Sequence, residues 1–407
     1  MASYLLASFC NLPVSTFSPV LLIKTQPDEQ PSIEFSPISL GYPRYVTATG
    51  MARKDGKIYV MFTSEGKNCV SALREGEFNN IFNQELPEVL DAHSIHATDQ
   101  HLYIVSTGTD QVLRYDLNAT GLEHPSVFWE ASSAHKDTHH INSIVEMDGD
   151  LYISAFGPRT GELWASATQG YIHNISRDQQ VARGIYHPHS LTTRRRQLFY
   201  CDSHHGTFCS LQGPLFYLDG YSRGIVWLSD ERVAVTTSIG RKVSKSTGKF
   251  MNPADPGEKA GTCSLSIKEI STGNTILASD LSWFGPEIYD LLLLDQPVDL
   301  LKTTADAFLA ERRGLDQEVK SRSNLTAQSF VNQQSIQTLS SQLREHQQII
   351  QNLSAQLGEI ERSKAWIFSL WIRRIRVRLA PPNSKRGQIL HYLYLPFRKL
   401  FSWIKPS

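Results

Sequence analysis

The stretch HSIHATDQHLYIV, residues 93–105, carries the pattern that decides the fold of this chain. A small residue, Ser94, is followed by an aliphatic residue, and a second apolar segment with Tyr103 lies ten positions after His93. The turn-forming residues 98–100 lie between the two segments. The stretch therefore predicts a hairpin of two short strands.

Four other segments repeat this pattern with the same internal spacing. They are Thr49-Gly50-Met51 with Tyr59, Asn142-Ser143-Ile144 with Tyr152, His189-Ser190-Leu191 with Phe199, and Arg223-Gly224-Ile225 with Val233. The five copies start 44, 49, 47 and 34 residues apart. This is the period of a four-stranded propeller blade, a unit that stacks around an axis to bury its faces.

A sixth inner strand is predicted at residues 287–294, where the apolar run is nearly unbroken. Its outer strands are predicted at the other end of the chain, in residues 4–8, 20–24 and 32–35. The sequence thus predicts an all-β six-bladed β-propeller over residues 1–298, in which N-terminal strands complete the last blade.

Residues 299–362 are predicted to form a coiled-coil helix. Apolar residues recur there at alternating spacings of three and four, interrupted at His346: Ile336, Leu339, Leu343, Ile350, Leu353, Leu357 and Ile360. We expect a homo-oligomer. The seam does not determine the number of helices or whether they run parallel or antiparallel. The alternative is one amphipathic helix that packs on its own propeller.

Residues 363–407 form a basic, aromatic tail. Residues 362–407 contain eleven Lys or Arg and no Asp or Glu, so a formally neutral chain has a cationic end. Aromatic rings beside cations suit an anionic membrane surface, and no apolar run is long enough to cross a bilayer. The alternatives are packing on the propeller or a partner, and nucleic-acid binding, which leaves the aliphatic residues unexplained.

The chain has five scattered cysteines without a CxxC pair, and its N-terminus lacks the basic region of a secretion signal. We therefore expect reduced thiols and a cytoplasmic protein, with the tail at the inner face of the membrane.

The first residues of the repeats should encircle one end of the central channel. Imidazole nitrogens with carboxylate or amide oxygens suit a divalent metal such as Zn, Mn, Fe or Ca. The predicted metal ligands are His93, Asn142, His189 and Glu287.

Three further residues are predicted to act beside the metal. His140 and His205 are the candidate proton carriers, and Arg223 is the candidate group for holding a small anionic ligand or substrate. The alternative is a polar lining in which these side chains bind each other and water. The insertion at 239–262 is predicted to be either a lid or a mobile loop.

These residues resemble the calcium- and zinc-binding propellers of the gluconolactonase and senescence-marker type, although only Asn142 and Glu287 match their ligand types. The blocks 91–95, 140–144 and 221–225 are similar to a bacterial propeller family of unassigned function. That resemblance implies an association with glycosyltransferases of surface-polysaccharide assembly.

Two functions follow as predictions. One is a metal-dependent hydrolase or lyase linked to cell-surface glycan assembly. The other is a non-enzymatic ligand-binding or scaffold protein that the tail recruits to a membrane-associated glycan complex.

Overall fold

The computed structural model describes residues 2–12, 18–28, 31–41, 47–239, 261–298, 339–360, 362–381 and 384–389. Twenty-four strands form six four-stranded sheets in the first of two compact units, residues 1–315. The predicted six-bladed β-propeller is confirmed.

The strands follow the chain in order, except at the closure of the ring. Blade 6 contains the N-terminal strands β1 (Ser3–Cys10), β2 (Val20–Gln26) and β3 (Ser32–Ile38). Blade 1 contains β4 (Thr47–Lys54), β5 (Lys57–Ser64), β6 (Lys67–Arg74) and β7 (Asn80–Glu85). Blade 2 contains β8 (Ala92–Ala97), β9 (His101–Ser106), β10 (Gln111–Leu117) and β11 (Leu122–Glu130).

Blade 3 contains β12 (Ile141–Met147), β13 (Asp150–Ala155), β14 (Gly170–Asn174) and β15 (Gln179–Ile185). Blade 4 contains β16 (Pro188–Arg194), β17 (Gln197–Asp202), β18 (Thr207–Ser210) and β19 (Gly213–Tyr217). Blade 5 contains β20 (Tyr221–Trp227), β21 (Arg232–Ser238), β22 (Ser264–Glu269) and β23 (Thr275–Asp280).

The ring closes where β24 (Glu287–Leu293) pairs antiparallel with β1 and becomes the inner strand of blade 6. The six inner strands, β4, β8, β12, β16, β20 and β24, contact one another in cyclic order. They enclose a central channel, and we call the end at their N-termini the mouth.

Each pair of neighbouring blades shares its own apolar core. Leu102, Ile104 and Tyr115 of blade 2, for example, pack against Tyr59 and Met61 of blade 1, all fully or nearly fully buried. The other five junctions have equivalent clusters. The alternating apolar residues of each strand therefore face two neighbouring blades, which explains how short strands bury enough surface to be stable.

Every inner strand has an irregularity where the sequence repeat begins. In β8, for example, Ala92 and Ser94 pair with Ser106 and Val105, and His93 is left out of the ladder. The other five inner strands also shift register within the repeated triplet, although the residue left out differs: it is Asn142 in β12, but Gly224 in β20. A β-bulge redirects side chains, so these irregularities turn residues of the triplet toward the channel end.

The small residue of the repeat joins neighbouring blades. Ser143 Oγ accepts a hydrogen bond from Leu191 N of the next blade at 3.2 Å, and Ser190 Oγ accepts from Gly224 N at 3.0 Å. Ile144 N donates to Ser94 Oγ in the same way at 3.4 Å. In blade 1 the small residue is Gly50, which has no room for a side chain, because a Cβ there would lie 2.5 Å from the Ser94 Cα.

Side-chain pairs join all six blades at or near the end of the channel opposite the mouth. Five of them are ion pairs and His96–Glu146 is a hydrogen bond; in cyclic order they are Lys54–Asp99, His96–Glu146, Asp148–Arg196, Arg195–Asp230, Arg232–Asp28 and Asp295–Arg53. Most of these side chains are partly exposed, so solvent screens the attraction and each pair adds little stability.

The second unit, residues 316–407, is helical where it is described. Helix α1 covers 339–360, helix α2 covers Lys364–Leu379, and a short helix covers 385–389. None of these helices combines the length and apolar character needed to cross a bilayer. The apolar seam of α1 is exposed along its length, and pairing of α1 into a coiled coil stays a prediction. Residues 299–338 of the predicted coiled coil lie outside the described residues.

Candidate functional site

Tyr289, and not Glu287, occupies the place in blade 6 that His93 occupies in blade 2. Tyr289 is the residue left out of the β24 ladder, since its neighbours Ile288 and Asp290 pair with β1. Asp290 then takes the role of the repeat's small residue, because its Oδ2 accepts from Met51 N at 3.0 Å. The sixth copy of the pattern is therefore Tyr289-Asp290-Leu291, two residues after the predicted position.

A closed circle of aromatic and cationic side chains surrounds the mouth. Ring centroids lie 5.0 Å apart for His93–His140, 4.5 Å for His140–Phe156, 5.0 Å for Phe156–His189, 5.4 Å for His189–Tyr221 and 5.3 Å for Tyr289–His93. Arg223 bridges Tyr221 and Tyr289, with its Cζ 5.3 and 4.8 Å from the two ring centres. We call these seven residues the aromatic rim.

Among the described residues of blade 1, none adds a ring to the aromatic rim. The residues equivalent to His93 and Ser94 are Thr49 and Gly50. Tyr289 of blade 6 therefore reaches past blade 1 to contact His93 of blade 2.

A cavity of about 220 Å³ lies among the inner strands. His93, Asn142, His189 and Tyr289 line it, together with residues farther along each strand, among them Asp290. The structure thus brings His93, Asn142 and His189 to one cavity, as the repeat register predicts, and adds Tyr289. Glu287 and Arg223 are not part of this lining.

The two cavity histidines are held in a defined tautomer. His93 Nδ1 lies 2.9 Å from Asp91 O, and His189 Nδ1 lies 3.0 Å from His187 O. A carbonyl oxygen only accepts, so each Nδ1 carries the proton and each Nε2 keeps its lone pair. Ser203 Oγ supports the His189 arrangement at 2.8 Å.

Of the polar atoms that are buried without a hydrogen-bond partner in the described part of the chain, two belong to the lining of the cavity. They are His189 Nε2 and Tyr289 Oη. His189 is 2% exposed and Tyr289 is 7% exposed. Leaving a buried donor or acceptor unpaired costs about 1–3 kcal/mol. The stability of the fold therefore does not explain why polar groups occupy these two positions.

Burial keeps three imidazoles near the mouth uncharged, those of His93, His187 and His189. It lowers the pKa of His93 to about 4 and that of His187 to about 3, although Asp91 raises the first and the Trp164 carbonyl raises the second. Burial, followed by the positive charge of Arg223, holds the pKa of His189 well below its ordinary value. At neutral pH these residues therefore act as hydrogen-bonding groups or lone-pair donors.

Arg223 and Glu287 form an ion pair beside the cavity. Arg223 Nη1 lies 2.9 Å from Glu287 Oε1, both side chains are buried, and Glu287 also accepts from Asn11 Nδ2. The carboxylate predicted as a metal ligand and the guanidinium predicted to hold an anion are thus bound to each other.

The two predicted proton carriers occupy different surroundings. His140 belongs to the aromatic rim and binds Asp137 through Nδ1 at 3.1 Å. His205 is exposed and lies outside the rim, where Asp202 binds its Nδ1 at 2.9 Å. Of the two, His140 is the one placed near the cavity.

The aspartate of the sixth repeat, Asp290, has an unusual acidity. Burial raises the pKa of its carboxyl to about 7, against the opposing effect of hydrogen bonds from Met51 N and Leu291 N. The carboxyl faces the same cavity as His189. The cavity therefore contains an acid that gains and loses a proton near neutral pH.

Among the residues that the structure describes, no group of three or more His, Cys, Asp and Glu side chains is arranged to hold a metal ion. The Asn142 Oδ1 atom already accepts from Ser154 Oγ at 2.9 Å. The predicted divalent metal stays a prediction. Residues 240–260, most of the predicted lid, lie outside the described residues.

Sequence reasoning missed Phe156, Tyr221, Tyr289 and Asp290. The triplet Tyr289-Asp290-Leu291 has the aliphatic third residue of the repeat. It was not recognised because Asp290 stands where the other copies have a small residue. Phe156 and Tyr221 lie outside the repeated triplet and carry no sequence signal of their own.

Fold and cavity together define a six-bladed propeller with a pocket in its central channel. A family profile described as a domain of unknown function, DUF4915, matches residues 17–299, more than half of the chain. The chain belongs to this family. No curated protein matches the sequence.

Several solved structures are similar over the propeller. One is the nidogen/laminin complex, with 12% identity over 72% of this chain and 98% of that chain and a TM-score of 0.48. A Bacteroides caccae protein of unknown function has 9% identity over 73% and 100%, with a TM-score of 0.47. A Bacteroides fragilis protein, described provisionally as a 6-phosphogluconolactonase, has 13% identity over 72% and 98%, with a TM-score of 0.44.

Proposed function

We propose that this protein is a ligand-binding propeller that takes a small polar molecule into its central channel. The observation that carries the proposal is the pair of buried, unpartnered groups His189 Nε2 and Tyr289 Oη beside a cavity. A site built to hydrogen-bond a ligand retains such groups at a cost to stability. A merely structural lining would satisfy them within the protein.

The chemistry of the ligand follows from the partners that it would meet. Two imidazole Nε2 lone pairs accept hydrogen bonds, and the Tyr289 hydroxyl both donates and accepts. Neutral imidazoles and an internally paired Arg223 leave little net charge at the aromatic rim. This favours a small molecule with hydroxyl or amine donors that fits a cavity of about 220 Å³. An anionic ligand at Arg223 would have to compete with Glu287.

A second candidate function is acid–base catalysis at the same site, as a hydrolase or lyase. It is supported by Asp290, because a carboxyl with a pKa of about 7 suits a general acid or base at neutral pH. In this version Asp290 exchanges a proton with the ligand, and His189 Nε2 accepts a hydrogen bond from it. A metal-dependent version needs a third ligand beside His93 and His189.

The roles predicted for the rest of the chain are kept as proposals. Pairing of α1 with a second copy would cover its seam, in which Leu343, Leu353 and Leu357 are about 60% exposed. An association with surface-glycan assembly rests on sequence resemblance alone.

The test is a ligand screen on the purified chain and a Tyr289→Phe variant. The panel contains polyols, amines, carboxylates and salts of Zn, Mn, Fe and Ca, read by the melting temperature. We expect a donor-bearing compound to stabilise the wild type and to bind Tyr289→Phe about tenfold more weakly, since one hydrogen bond is lost. His205→Gln, an imidazole outside the aromatic rim, is the matched control and should bind like the wild type.

The variant also distinguishes lost binding from lost folding. Tyr289→Phe removes a hydroxyl without a partner, so its free energy of unfolding should equal or exceed that of the wild type. Tyr115→Phe, whose hydroxyl donates to Glu88 at 2.7 Å, should lose about 1–3 kcal/mol. The proposal fails if Tyr289→Phe is destabilised as much as Tyr115→Phe, or if no compound distinguishes it from the wild type. Stoichiometric metal in the purified protein would favour the catalytic version.

A further inference from the structure

Helix α2 has a defined start and two halves of different character. Ser363 caps its N-terminus, since the Ser363 Oγ atom accepts from Trp366 N at 3.2 Å. Residues 365–372 contain no charged side chain and include two tryptophans. Residues 373–379 contain four arginines and no acid. The helix is therefore apolar and aromatic in its first half and cationic in its second.

No residue of α2 is buried. Its exposed large apolar side chains are Trp366, Ile367, Phe368, Leu370, Trp371, Ile372, Val377 and Leu379, with exposed fractions between 42% and 69%. An exposed apolar surface of this extent marks an interaction site in a stable protein.

The apolar and the cationic side chains of α2 are separated along the helix and not around it. Ile367, Trp371 and Arg378 fall on one side, since they are four and seven residues apart. The first half therefore presents aromatic and aliphatic side chains, and the second half presents guanidinium groups. Tryptophan beside cations is typical of helices at a membrane interface.

Length and charge exclude a spanning orientation. Sixteen residues of α-helix measure about 24 Å, less than the roughly 30 Å of a hydrocarbon core. Four arginines in the last two turns would also have to enter the apolar layer. If α2 lies in the headgroup region instead, the arginines of its second half reach lipid phosphates and the apolar side chains of its first half reach the acyl chains.

We propose that α2 docks this protein on the surface of an anionic lipid bilayer, with the apolar side chains of residues 365–372 inserted and the arginines of residues 373–379 at the headgroups. The occupant follows from charge complementarity, because α2 carries five cations and no acid. Nucleic acid would use the cations and rings, but it gives no role to the inserted isoleucines. The proposal is independent of the channel ligand.

The test is flotation of the full chain with vesicles of phosphatidylcholine alone and with added phosphatidylglycerol. We expect binding only to the second, and weaker binding as salt is raised. Arg373→Gln with Arg374→Gln should reduce the partition coefficient about 30-fold, the effect of two cations at an anionic surface. Lys136→Gln with Arg183→Gln removes two exposed propeller cations and should leave it unchanged.

A third variant tests insertion. Ile367→Ser with Trp371→Ser keeps every charge and should weaken binding at least tenfold. The melting temperature of the propeller should be unchanged in all variants, because α2 belongs to the other compact unit. Absence of vesicle binding would overturn the proposal, as would equal losses in the two charge variants. Retention of single-stranded RNA without vesicle binding would identify nucleic acid as the partner instead.

Discussion

Buried histidines around the channel mouth are uncharged in the folded state. The pKa values of about 4 for His93 and about 3 for His187 lie below the value near 6.5 of an exposed imidazole. Below pH 6.5 the unfolded chain therefore binds more protons than the native protein. The stability that these neutral histidines contribute is present above pH 6.5 and is lost as the pH falls toward their pKa values in the native protein.

We predict a loss of stability between pH 6.5 and 5, of roughly 2 kcal/mol for each of these two imidazoles. Asp290 acts in the opposite direction, because its raised pKa makes the native state bind the extra proton from about pH 4 to 7. The measurement is therefore urea unfolding of Asp290→Asn at both pH values. A flat profile would show that the imidazoles are not desolvated.

At this scale the sequence predicted positions better than partners. The repeat register placed His93, Asn142 and His189 around one cavity, because residues at equivalent positions of the six inner strands face the same axis. It could not show that Arg223 and Glu287 pair, since their strands belong to different blades and no local pattern relates them. It also missed Tyr289, because Asp290 replaces the small residue that marks the other copies.

The inner strand is the element that combines packing with the site. One residue of each repeat points toward the mouth, and the next holds the neighbouring blade through a hydroxyl, a close glycine or the Asp290 carboxylate. The small residue of the repeat thus has a structural role, which explains why it recurs when the residue before it varies.

Ser143→Ala should cost about 1–3 kcal/mol, because Leu191 N loses its acceptor in a buried junction. Chemical denaturation measures the change. Ser126→Ala on the outer strand β11 is the matched control; its Oγ makes only a long bond of 3.4 Å to Arg114 O, and the change should cost less than about 0.5 kcal/mol. Equal losses in the two variants would contradict a special role for the inner-strand hydroxyl.

Sequence periodicity predicted most of the strands and helices. It predicted the contacts between these elements less well. Five inner hairpins were visible because each keeps its turn and spacing. The inter-blade hydroxyl bonds were not, since a serine before an aliphatic residue has many other uses. For α1 the seam is visible in sequence, but the chain that covers it is not.

The whole molecule is a ring held shut by pairing between strands from opposite ends of the propeller. Six residue pairs join β1 to β24, from Leu5–Leu293 to Cys10–Glu287. Leu5, Leu6 and Leu21 are fully buried at this junction. The stability of all six blades therefore depends on N-terminal residues.

Deletion of residues 1–26 should abolish the cooperative melting transition, because β24 loses its partner and two inter-blade cores are opened. Deletion of residues 364–407, which is larger, is the control and should leave the propeller transition in place. Circular dichroism on heating is the measurement. A propeller that melts normally without its first 26 residues would contradict the dependence on closure.

The fold as a whole was predictable because repetition supplies five independent readings of one pattern. The circle of side-chain pairs near the far end of the channel could not be predicted, since each pair joins two blades whose distance depends on the finished ring.

Closure also affects how the protein is made. Cys10 pairs with Glu287, so β1 binds a strand that is synthesised 277 residues later. One edge of β1 therefore stays unpaired during most of synthesis. Until that strand emerges, a nascent chain presents an unpaired apolar edge, the kind of surface on which polypeptides aggregate. Fragments that stop within blade 5 should therefore depend on chaperones, however well their own blades are formed.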